Sequence, residues 1–408
     1  MMINVEKKII APLINWACGM VLLLGSHMAY AQADNTDLTI RADFPGGNVL
    51  IEKIVSDTVW IVPDTRNIVG DWFYWYFSVE AKVDKEIHFV FPKHKIPAFG
   101  PAISLDRGES WNWMFDEQHK GMDSFSYLFP VGREVRFSMG FPYTKANFNT
   151  FIASYRSHPY LSVDTLCVSR AGHEVPMLFI NNSAKQHKEK IVITARHHSC
   201  EMMANYVLEG FIAALLDDSA FDWLRDNFEF LIIPFVDMDG VEEGDQGKNR
   251  YPRDHNRDYS GESVYETTDA IRRLVPDWAG DDLTVALDLH CPGLVGNGHE
   301  LLYLVGSKKE SIALQEERFA GVLADNLTQG LTFGPAGLLP FGKSWNVATS
   351  EQLGASFRSW VLDEFEQVKL ATTVEIPYAN NEGQQVSMEN LRLLGADLTK
   401  SLEIYLKK

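Results

Sequence analysis

The stretch Ile191-Val-Ile-Thr-Ala195, continued by Arg196-His-His198-Ser-Cys-Glu201, decides the fold. Five consecutive apolar or β-branched residues are typical of a strand that is buried on both faces. An amphipathic helical pattern then runs from Met202 to Leu216. His198 and Glu201 therefore lie in the turn between a strand and a helix, where both side chains can reach one ion. The stretch predicts part of a zinc site, with one nitrogen and one carboxylate oxygen as ligands.

A second histidine stands at the end of another predicted strand. His290 closes the apolar run Val285-Ala-Leu-Asp-Leu289, and ligands of α/β sheets gather beyond the carboxyl ends of the strands. Two histidines and one carboxylate leave one position open for water, which is the pattern of a catalytic zinc site. A lone histidine at a strand end more often makes a structural hydrogen bond. Beside His198 and Glu201, we interpret His290 as the third ligand of one Zn²⁺ per chain.

Glu375 ends a third apolar strand, Ala371-Thr-Thr-Val374. A carboxylate at the end of a buried strand is costly unless it is paired or functional. Close to a metal it can accept a proton from water and pass it to a leaving amine. We therefore predict that Glu375 is a general base, and a salt bridge at the strand end is the alternative.

Two different patterns divide the chain. In residues 38–150, short β-rich runs such as Trp72-Phe-Tyr-Trp-Tyr-Phe-Ser-Val79 alternate with Gly and Pro, which predicts an antiparallel β-sandwich domain. In residues 151–408, apolar strands alternate with helical segments. This second pattern predicts an α/β catalytic domain with a mainly parallel or mixed sheet. A chain of 408 residues is also too long for one core, so two domains are expected.

The N-terminus has the features of a secretory signal. Lys7 and Lys8 precede a mostly apolar run from Ile9 to Leu24, and Ala29-Tyr-Ala31 fits a cleavage site. We predict a signal peptide at residues 1–31 and an exported protein, periplasmic or secreted. A membrane anchor is the alternative, although the apolar run is short for a span. After cleavage, no membrane insertion is expected.

The formal net charge of −18 argues against nucleic acid or anionic membranes as partners. Outside the signal, the cysteines are Cys167, Cys200 and Cys291, which is no disulfide-scaffold pattern. Cys200 and Cys291 each stand beside a predicted ligand. They either face each other across the site or are small buried residues. The sequence leaves the oligomeric state open.

A polar segment lies between the predicted ligands. It runs from Asp237-Met-Asp239-Gly240 to Gly247-Lys-Asn-Arg250-Tyr-Pro-Arg253-Asp254-His-Asn256-Arg257 and is dense in arginine, carboxylate and amide groups. Guanidinium groups bind a free carboxylate with two hydrogen bonds. The segment is therefore a candidate anchor for a substrate with a free C-terminus.

These motifs together resemble those of the zinc metallocarboxypeptidases, in the branch that contains the cytosolic carboxypeptidases. Ala195-Arg196-x-His198-x-x-Glu201 resembles the Ala-Arg-x-His-Pro-Gly-Glu of that branch, and Asp239-Gly240 the end of its Asn-Pro-Asp-Gly. Asp254-His-Asn256-Arg257 resembles its Asp-x-Asn-Arg, and Asp288-Leu-His290 its Asp-Leu-His. The aromatic run at Trp72 is similar to the β-sandwich that precedes the catalytic domain there. The resemblance implies a carboxypeptidase-like fold in a bacterial, exported member.

The resemblance also implies roles for individual residues. It implies three zinc ligands and a general base, which are His198, Glu201, His290 and Glu375. It further implies that Asn256 and Arg257 hold the terminal carboxylate of the substrate. Asp254 would accept a hydrogen bond from the ring of His198. Arg250 would polarise the scissile carbonyl and stabilise the oxyanion, with Arg253 as a rival for this role and as a further substrate-binding candidate.

Arg358 falls near the residue that sets side-chain preference in such relatives. A buried arginine there would favour a C-terminal Glu or Asp, whereas a solvent-facing arginine on a turn would not. The substrate-binding residues implied by the resemblance thus include Arg358 as a specificity candidate.

The function that we expect from the sequence is a zinc-dependent carboxypeptidase acting on peptide or protein C-termini through activated water, with a preference for acidic residues. A peptidase of peptidoglycan stem peptides and a deacylase of amino-acid conjugates are enzymatic alternatives with the same ligand set. An exported binding module is the non-enzymatic alternative. Retention of Glu375 with all three ligands argues against a degenerate site.

Overall fold

The computed structural model describes residues 33–35, 37–119, 122–185, 188–296, 298–328, 331–334, 337–347 and 354–408. The predicted signal peptide at residues 1–31 lies outside these ranges. Within them, no helix combines the length and the apolar character that crossing a membrane requires.

The N-terminal part of the described chain is built from strands. Ten strands follow one another in this part: β1 (Ala33–Asn35), β2 (Leu38–Arg41), β3 (Leu50–Val55), β4 (Thr58–Val62), β5 (Tyr76–Ala81), β6 (Lys85–Val90), β7 (Ala102–Ser104), β8 (Asn112–Trp113), β9 (Ser124–Phe129) and β10 (Glu134–Ser138). They form a six-stranded sheet in the order β1-β2-β5-β10-β7-β8 and a four-stranded sheet in the order β3-β4-β6-β9.

Aromatic side chains pack the two sheets against each other. Phe77 and Phe137 of the larger sheet contact Phe89 and Phe125 of the smaller one, with ring centroids 5.5 Å apart for Phe77 and Phe89 and 5.1 Å apart for Phe125 and Phe137. All four side chains are buried. The predicted β-sandwich is confirmed. Its strand pairs are antiparallel apart from β4 and β6, which run parallel.

A single eight-stranded sheet forms the centre of the C-terminal part. Its strands are β11 (Leu161–Val168), β12 (Glu174–Ile180), β13 (Glu189–Ala195), β14 (Phe228–Ile233), β15 (Leu283–His290), β16 (Tyr303–Val305), β17 (Leu338–Leu339) and β18 (Leu370–Glu375), in the order β11-β12-β14-β13-β15-β18-β16-β17. The neighbours β14, β13, β15 and β18 are parallel, and antiparallel pairs flank them. The prediction of a mainly parallel, mixed sheet is confirmed. A two-stranded hairpin, β19 (Asn380–Asn381) and β20 (Gln384–Gln385), lies outside this sheet.

The helices belong mostly to the C-terminal part. The described α-helices are α1 (Lys145–Ala153), α2 (Met203–Asp217), α3 (Asp222–Asn227), α4 (Met238–Glu243), α5 (Glu266–Ala279), α6 (Glu310–Asn326), α7 (Phe357–Glu364) and α8 (Met388–Leu406), with short 3-10 helices at Ser219–Phe221 and His255–Arg257. Helix α1 spans the predicted domain boundary at residue 150. Buried apolar side chains of both parts also join in one cluster, so the division into domains at residue 150 stays a prediction.

Strand register determines where the site forms. Because β13, β15 and β18 are parallel neighbours, their carboxyl ends lie at one edge of the sheet. Leu289 pairs with Ala195, and His290 pairs directly with Glu375. We call the carboxyl ends of these three strands, with the loop 196–202, the sheet edge. The fold thus brings His290 and Glu375 side by side, with the His198 loop beginning at the next strand.

Candidate metal and active site

The loop that follows β13 is held in one conformation. Arg196 has φ of 61°, in the left-handed region, which costs a non-glycine residue about 1 kcal/mol. Its buried guanidinium donates hydrogen bonds to the Tyr143 carbonyl at 3.0 Å, to Asn205 Oδ1 at 2.7 Å and to the Ser199 carbonyl at 3.0 Å. These hydrogen bonds connect the loop to Tyr143, which precedes α1, and to Asn205 in α2. The side chain of His198 therefore projects from a fixed backbone.

Three potential ligand atoms converge at the sheet edge. Atoms of His198, Glu201 and His290 all lie within 4.8 Å of one another. His198 Nδ1 is 2.9 Å from Glu201 Oε1, and His290 Nδ1 is 2.7 Å from Glu201 Oε2. Glu201 Oε2 is buried, and its contact with His290 Nδ1 lacks the geometry of a hydrogen bond, so no described residue satisfies this oxygen. An orphaned carboxylate oxygen beside two imidazole nitrogens fits a bound Zn²⁺.

A carboxylate lies behind each of the two histidines. His198 Nε2 is 3.2 Å from both oxygens of Asp254, as predicted for this pair, and His290 Nε2 is 2.7 Å from Asp288 Oδ2. When Nε2 of each ring carries the proton and donates it to the carboxylate, Nδ1 keeps its lone pair. Such partners fix the tautomer and orientation of metal-binding histidines. Both rings therefore present Nδ1 to the same point.

The two glutamates of the sheet edge differ in their electrostatics. Burial alone would raise the pKa of Glu201, but the neighbouring charges of Lys248, His198 and His290 hold it well below its ordinary value. Burial raises the pKa of Glu375 to about 7, against the lowering effect of His290. Glu375 Oε2 is buried and has no hydrogen-bond partner in the described part of the chain. Glu201 is thus ionised, whereas Glu375 can gain or lose a proton near neutral pH.

Residues 245–258, which we call the facing segment, supply the predicted substrate-binding groups. Asn256 reaches the site, because its Nδ2 is 3.1 Å from His290 Nε2 while its Oδ1 accepts a hydrogen bond from the Phe357 amide at 2.9 Å. Arg257 is half-buried and donates one hydrogen bond to the Asn256 carbonyl at 2.5 Å. None of the ion pairs of the described residues involves Arg257. Its charge helps to lower the pKa of Asp254, but without a direct ion pair its guanidinium is available to a carboxylate from outside.

Arg250 and Arg253, the two predicted oxyanion candidates, are both paired with carboxylates in the structure. The Arg250 guanidinium is 3.2 Å from Asp237 Oδ2 and donates a short hydrogen bond to Asp245 Oδ2, and both carboxylates are buried. Arg253 Nη1 donates to Asp258 Oδ1 at 2.8 Å. Each guanidinium is thus paired with at least one buried carboxylate, although Arg250 shares Asp245 with Arg66. The prediction that Arg250, or Arg253 as its rival, polarises the scissile carbonyl does not fit this placement, because loop spacing does not show which cation is already paired.

Two residues that sequence reasoning missed lie against the ligands. Lys248 Nζ is 2.6 Å from Glu201 Oε1, and its side chain is 12% exposed. His197 is fully buried, with Nδ1 2.8 Å from Asp288 Oδ1 and Nε2 2.8 Å from the Tyr259 hydroxyl. His197, Asp288 and His290 form a second group of potential ligands. Two features of the sequence could have indicated these residues. They are the adjacent histidines His197 and His198, and the single lysine in the polar segment between the predicted ligands.

Arg358 is buried, so the solvent-facing alternative is excluded. Its side chain is 14% exposed, and Nη1 donates to the Val305 carbonyl at 2.5 Å. The same Nη1 lies 3.6 Å from Glu316 Oε1, and burial raises the pKa of Glu316 to about 7. Arg358 therefore shares its environment with an acid that is only partly ionised at neutral pH.

The cysteines beside the ligands are not joined. Cys167, Cys200 and Cys291 are all free thiols in the structure, and the last two are buried. Cys200 Sγ is 3.7 Å from the Tyr378 hydroxyl, and burial raises the pKa of the Cys200 thiol to about 12. The interpretation as small buried residues fits this placement better than a pair across the site.

The sheet edge gathers two histidines and two glutamates, which are the residue types that a catalytic zinc site requires. Comparison with known proteins supports this interpretation. Residues 150–283 match the family model described as zinc carboxypeptidase. The structure superimposes on a metallo-carboxypeptidase from Burkholderia cenocepacia with a TM-score of 0.74 and 17% sequence identity, covering 91% of this chain and 99% of that one. The carboxypeptidase-like fold is thereby confirmed.

Relatives that are similar in sequence are carboxypeptidases as well. Over 318 residues, the chain is 23% identical to cytosolic carboxypeptidase 3 of Bos taurus, covering 71% of this chain and 30% of that protein. Over 227 residues, it is 28% identical to cytosolic carboxypeptidase 2 of Homo sapiens, covering 52% of this chain and 25% of that protein. The chain thus spans less than a third of the length of these relatives. Residues 150–283 are thus similar to a zinc carboxypeptidase domain, and the chain is similar to the cytosolic carboxypeptidases over part of their length.

Proposed function

We propose that this protein is a zinc-dependent carboxypeptidase that removes C-terminal residues from peptides or proteins. One observation carries the proposal: the ligand atoms of His198, Glu201 and His290 converge within 4.8 Å, while Glu375 ends the adjacent strand in register with His290. A zinc ion held by the three ligands would supply Lewis acidity to a water molecule and to the scissile carbonyl.

Glu375 has the properties of a proton carrier in this reaction. Its pKa of about 7, raised by burial, lies near the operating pH at which a general base is most effective. In the proposed reaction, Glu375 takes a proton from the attacking water and delivers it to the departing amine. A permanent salt bridge, the alternative from the sequence, is not supported, because none of the ion pairs of the described residues involves Glu375.

Arg257 and Asn256 would hold the substrate by its free C-terminal carboxylate. The unpaired guanidinium of Arg257 can form two charge-assisted hydrogen bonds with it. The Phe357 amide donates to Asn256 Oδ1 and holds this side chain beside His290, so its position relative to the ligands is set before substrate binds. This anchoring would convert part of the activation barrier into prearranged geometry.

A preference for acidic C-terminal residues is the finer part of the proposal. Buried Arg358 supports it, since a cation beside the site attracts a substrate carboxylate. Glu316 at 3.6 Å offsets part of that charge. Cleavage rates of otherwise identical peptides ending in Glu, Gln and Leu test this point. Equal kcat/KM for Glu and Gln, in both the natural protein and Arg358→Ala, would rule the preference out.

The reaction itself is tested with peptides that differ only at their C-termini. The zinc-loaded protein should release the last residue from a peptide with a free carboxylate, should not cleave its C-terminal amide, and should lose activity with a chelator. Muropeptides and N-acyl amino acids belong in the same assay. Cleavage of these alone would favour a stem-peptide peptidase or a deacylase, and cleavage of none would favour a binding module.

We also propose that the protein is exported, on the basis of the signal pattern at residues 1–31. The test is expression of the full chain with fractionation and N-terminal sequencing of the product. A mature N-terminus directly after Ala31 in the periplasm or medium is the expected result. Retention of the intact chain in the cytoplasm or membrane would contradict it.

A further inference from the structure

We propose that Lys248 is the cation that stabilises the negative charge on the scissile carbonyl oxygen, in place of Arg250 or Arg253. This inference rests on the proposed carboxypeptidase function and deepens it. It assigns a catalytic role to a residue that the sequence motifs left without one.

The ammonium group of Lys248 lies at the ligand cluster. Nζ is 2.6 Å from Glu201 Oε1 and donates a hydrogen bond to the Cys291 carbonyl at 2.8 Å. Glu201 is a candidate metal ligand, and Cys291 directly follows another, His290. A carbonyl that reacts at this centre must approach these residues, so its oxygen would develop charge close to Nζ. A preorganised donor at such a point is the usual source of oxyanion stabilisation.

The backbone around Lys248 is fastened to the ligand loop. Gly247 has φ of 78°, and a Cβ at this position would lie 2.3 Å from the Ser199 amide nitrogen and 2.8 Å from His198 Cα. Only glycine fits both the conformation and the space. One residue further along, the Asn249 amide donates to Asp254 Oδ2 at 3.0 Å. Gly247 thus lies against the loop that carries His198, and Asn249 is tied to the carboxylate that contacts His198 Nε2, which fixes where the Lys248 side chain starts.

Hydrogen bonds on the N-terminal side continue this attachment. Ser199 Oγ donates to the Asp245 carbonyl at 2.8 Å, and the Cys200 amide donates to the Gln246 carbonyl at 3.3 Å. The Lys248 ammonium also lies 5.6 Å from the centroid of the Trp72 ring, a residue of the N-terminal part. Lys248 therefore occupies a position built from several elements rather than an exposed loop.

The pairing of the other cations singles out Lys248. Arg250 is held by Asp237 and Asp245. Arg253 is held by Asp258. The carboxylate that contacts Lys248 is instead one that a metal ion would share. A metal ion held by Glu201 would draw on the same carboxylate, which would leave the Lys248 ammonium available to a developing oxyanion.

A purely structural role for Lys248, neutralising Glu201, makes different predictions. Neutralisation would affect zinc binding and stability but not the turnover of enzyme that is saturated with zinc. An oxyanion role would affect kcat and the affinity for a tetrahedral analogue, with zinc content unchanged. The two roles are therefore separable by experiment.

The experiment compares Lys248→Met and Lys248→Arg with the natural protein, all with zinc content measured. Zinc-saturated Lys248→Met should lose about 100-fold or more in kcat, with KM changed much less. Its affinity for a phosphinic peptide, which mimics the tetrahedral oxyanion, should fall by a similar factor. Lys248→Arg should restore part of both. A matched control is Lys95→Met, which removes another buried lysine, 2.5 Å from Asp71, in the N-terminal part; its kcat and phosphinate affinity should stay near those of the natural protein.

Retention of kcat within about threefold in zinc-saturated Lys248→Met would overturn the inference, as would loss confined to zinc content. The same holds if Arg250→Lys, at full zinc content, loses kcat and phosphinate affinity while Lys248→Met does not. Failure of the natural protein to cleave any peptide would instead overturn the proposed function, and this inference with it.

Discussion

The sheet edge and the facing segment contribute the two halves of the site, and they balance their charges differently. On the sheet edge, strand register places His290 beside Glu375, and the two predicted ligand histidines contact Glu201. In the facing segment, three cations stand within six residues, yet Arg250 and Arg253 are paired with buried carboxylates outside the ligand group while Lys248 contacts Glu201. At the ends of parallel strands, the register determines which side chains lie together. In a loop, ion pairs with carboxylates determine which cation remains free to bind a substrate.

The largest effect should follow from a change on the sheet edge that leaves the ligands intact. Glu375→Gln keeps the shape of the side chain but removes the proton acceptor. We expect kcat to fall by about 10³-fold or more, at the upper end of what general base catalysis supplies. Zinc content, measured by atomic absorption, should stay at one ion per chain. Near-normal turnover at full zinc content would show that the base is another group.

The carboxylate behind His290 provides the next test of the sheet edge. Asp288 Oδ2 is 2.7 Å from His290 Nε2, and it fixes the ring that presents Nδ1. Asp288→Asn should weaken zinc affinity by about 10- to 100-fold, as loss of such partners does at other sites. Competition with a chromogenic chelator measures the zinc affinity. Asp254→Asn, which removes the carboxylate beside His198, should also weaken the zinc affinity. Unchanged zinc affinity in both variants would mean that these contacts do not orient the ligands.

Arg257 tests the facing segment. Arg257→Met removes the unpaired guanidinium, so KM for peptides with a free C-terminus should rise by about 10- to 100-fold, the worth of hydrogen bonds to a charged group. Arg253→Met is the matched comparison, since its guanidinium is already paired with Asp258. Its KM should change little, although its thermal stability should fall. An equal rise in KM in both variants would contradict the distinction between paired and unpaired cations.

The smallest expected effect concerns pH and the acid beside Arg358. Burial raises the pKa of Glu316 from the ordinary value of 4.5 to about 7, so this acid is neutral below pH 7 and charged above it. As pH falls from 8 to 6, Arg358 loses its counter-charge, and the ratio of kcat/KM for C-terminal Glu over Gln should rise by roughly threefold. The ratio cancels the titration of Glu375. In Glu316→Gln the ratio should be high at all pH values, and a pH-dependent ratio there would refute the pairing.

The same acid has a consequence for stability. Since the folded-state pKa of Glu316 is above its unfolded value, this group contributes stability that is fully present below about pH 4.5 and is lost as pH rises through about 7. Thermal unfolding of Glu316→Gln between pH 5 and 8 should therefore show a weaker decline than that of the natural protein. A steeper decline would contradict the direction of the shift.

The sheet edge was predictable from sequence for a physical reason. Strands buried on both faces are continuous apolar runs, so the polar residues that end them stand out, as His290 and Glu375 do. Aromatic runs likewise predicted the sandwich, although not the parallel pairing of β4 with β6, because alternation along a strand carries no information on the direction of its neighbour.

The facing segment was harder to interpret because its contacts join residues that are remote in sequence. Lys248 reaches Glu201 only through the close approach of Gly247 to the His198 loop. Likewise, α6 and α7 both pack against β18, which brings Glu316 near Arg358. Of the adjacent histidines, the side chain of His198 reaches Glu201 whereas that of His197 reaches Asp288, a difference that spacing does not reveal.

The most direct test of the central claim is an X-ray structure of the purified protein with anomalous data collected at the zinc edge. We predict one peak per chain, bounded by His198 Nδ1, His290 Nδ1 and the Glu201 carboxylate, with Glu375 beside it. No peak at this point, or a peak enclosed by the alternative group of His197, Asp288 and His290, would contradict the account.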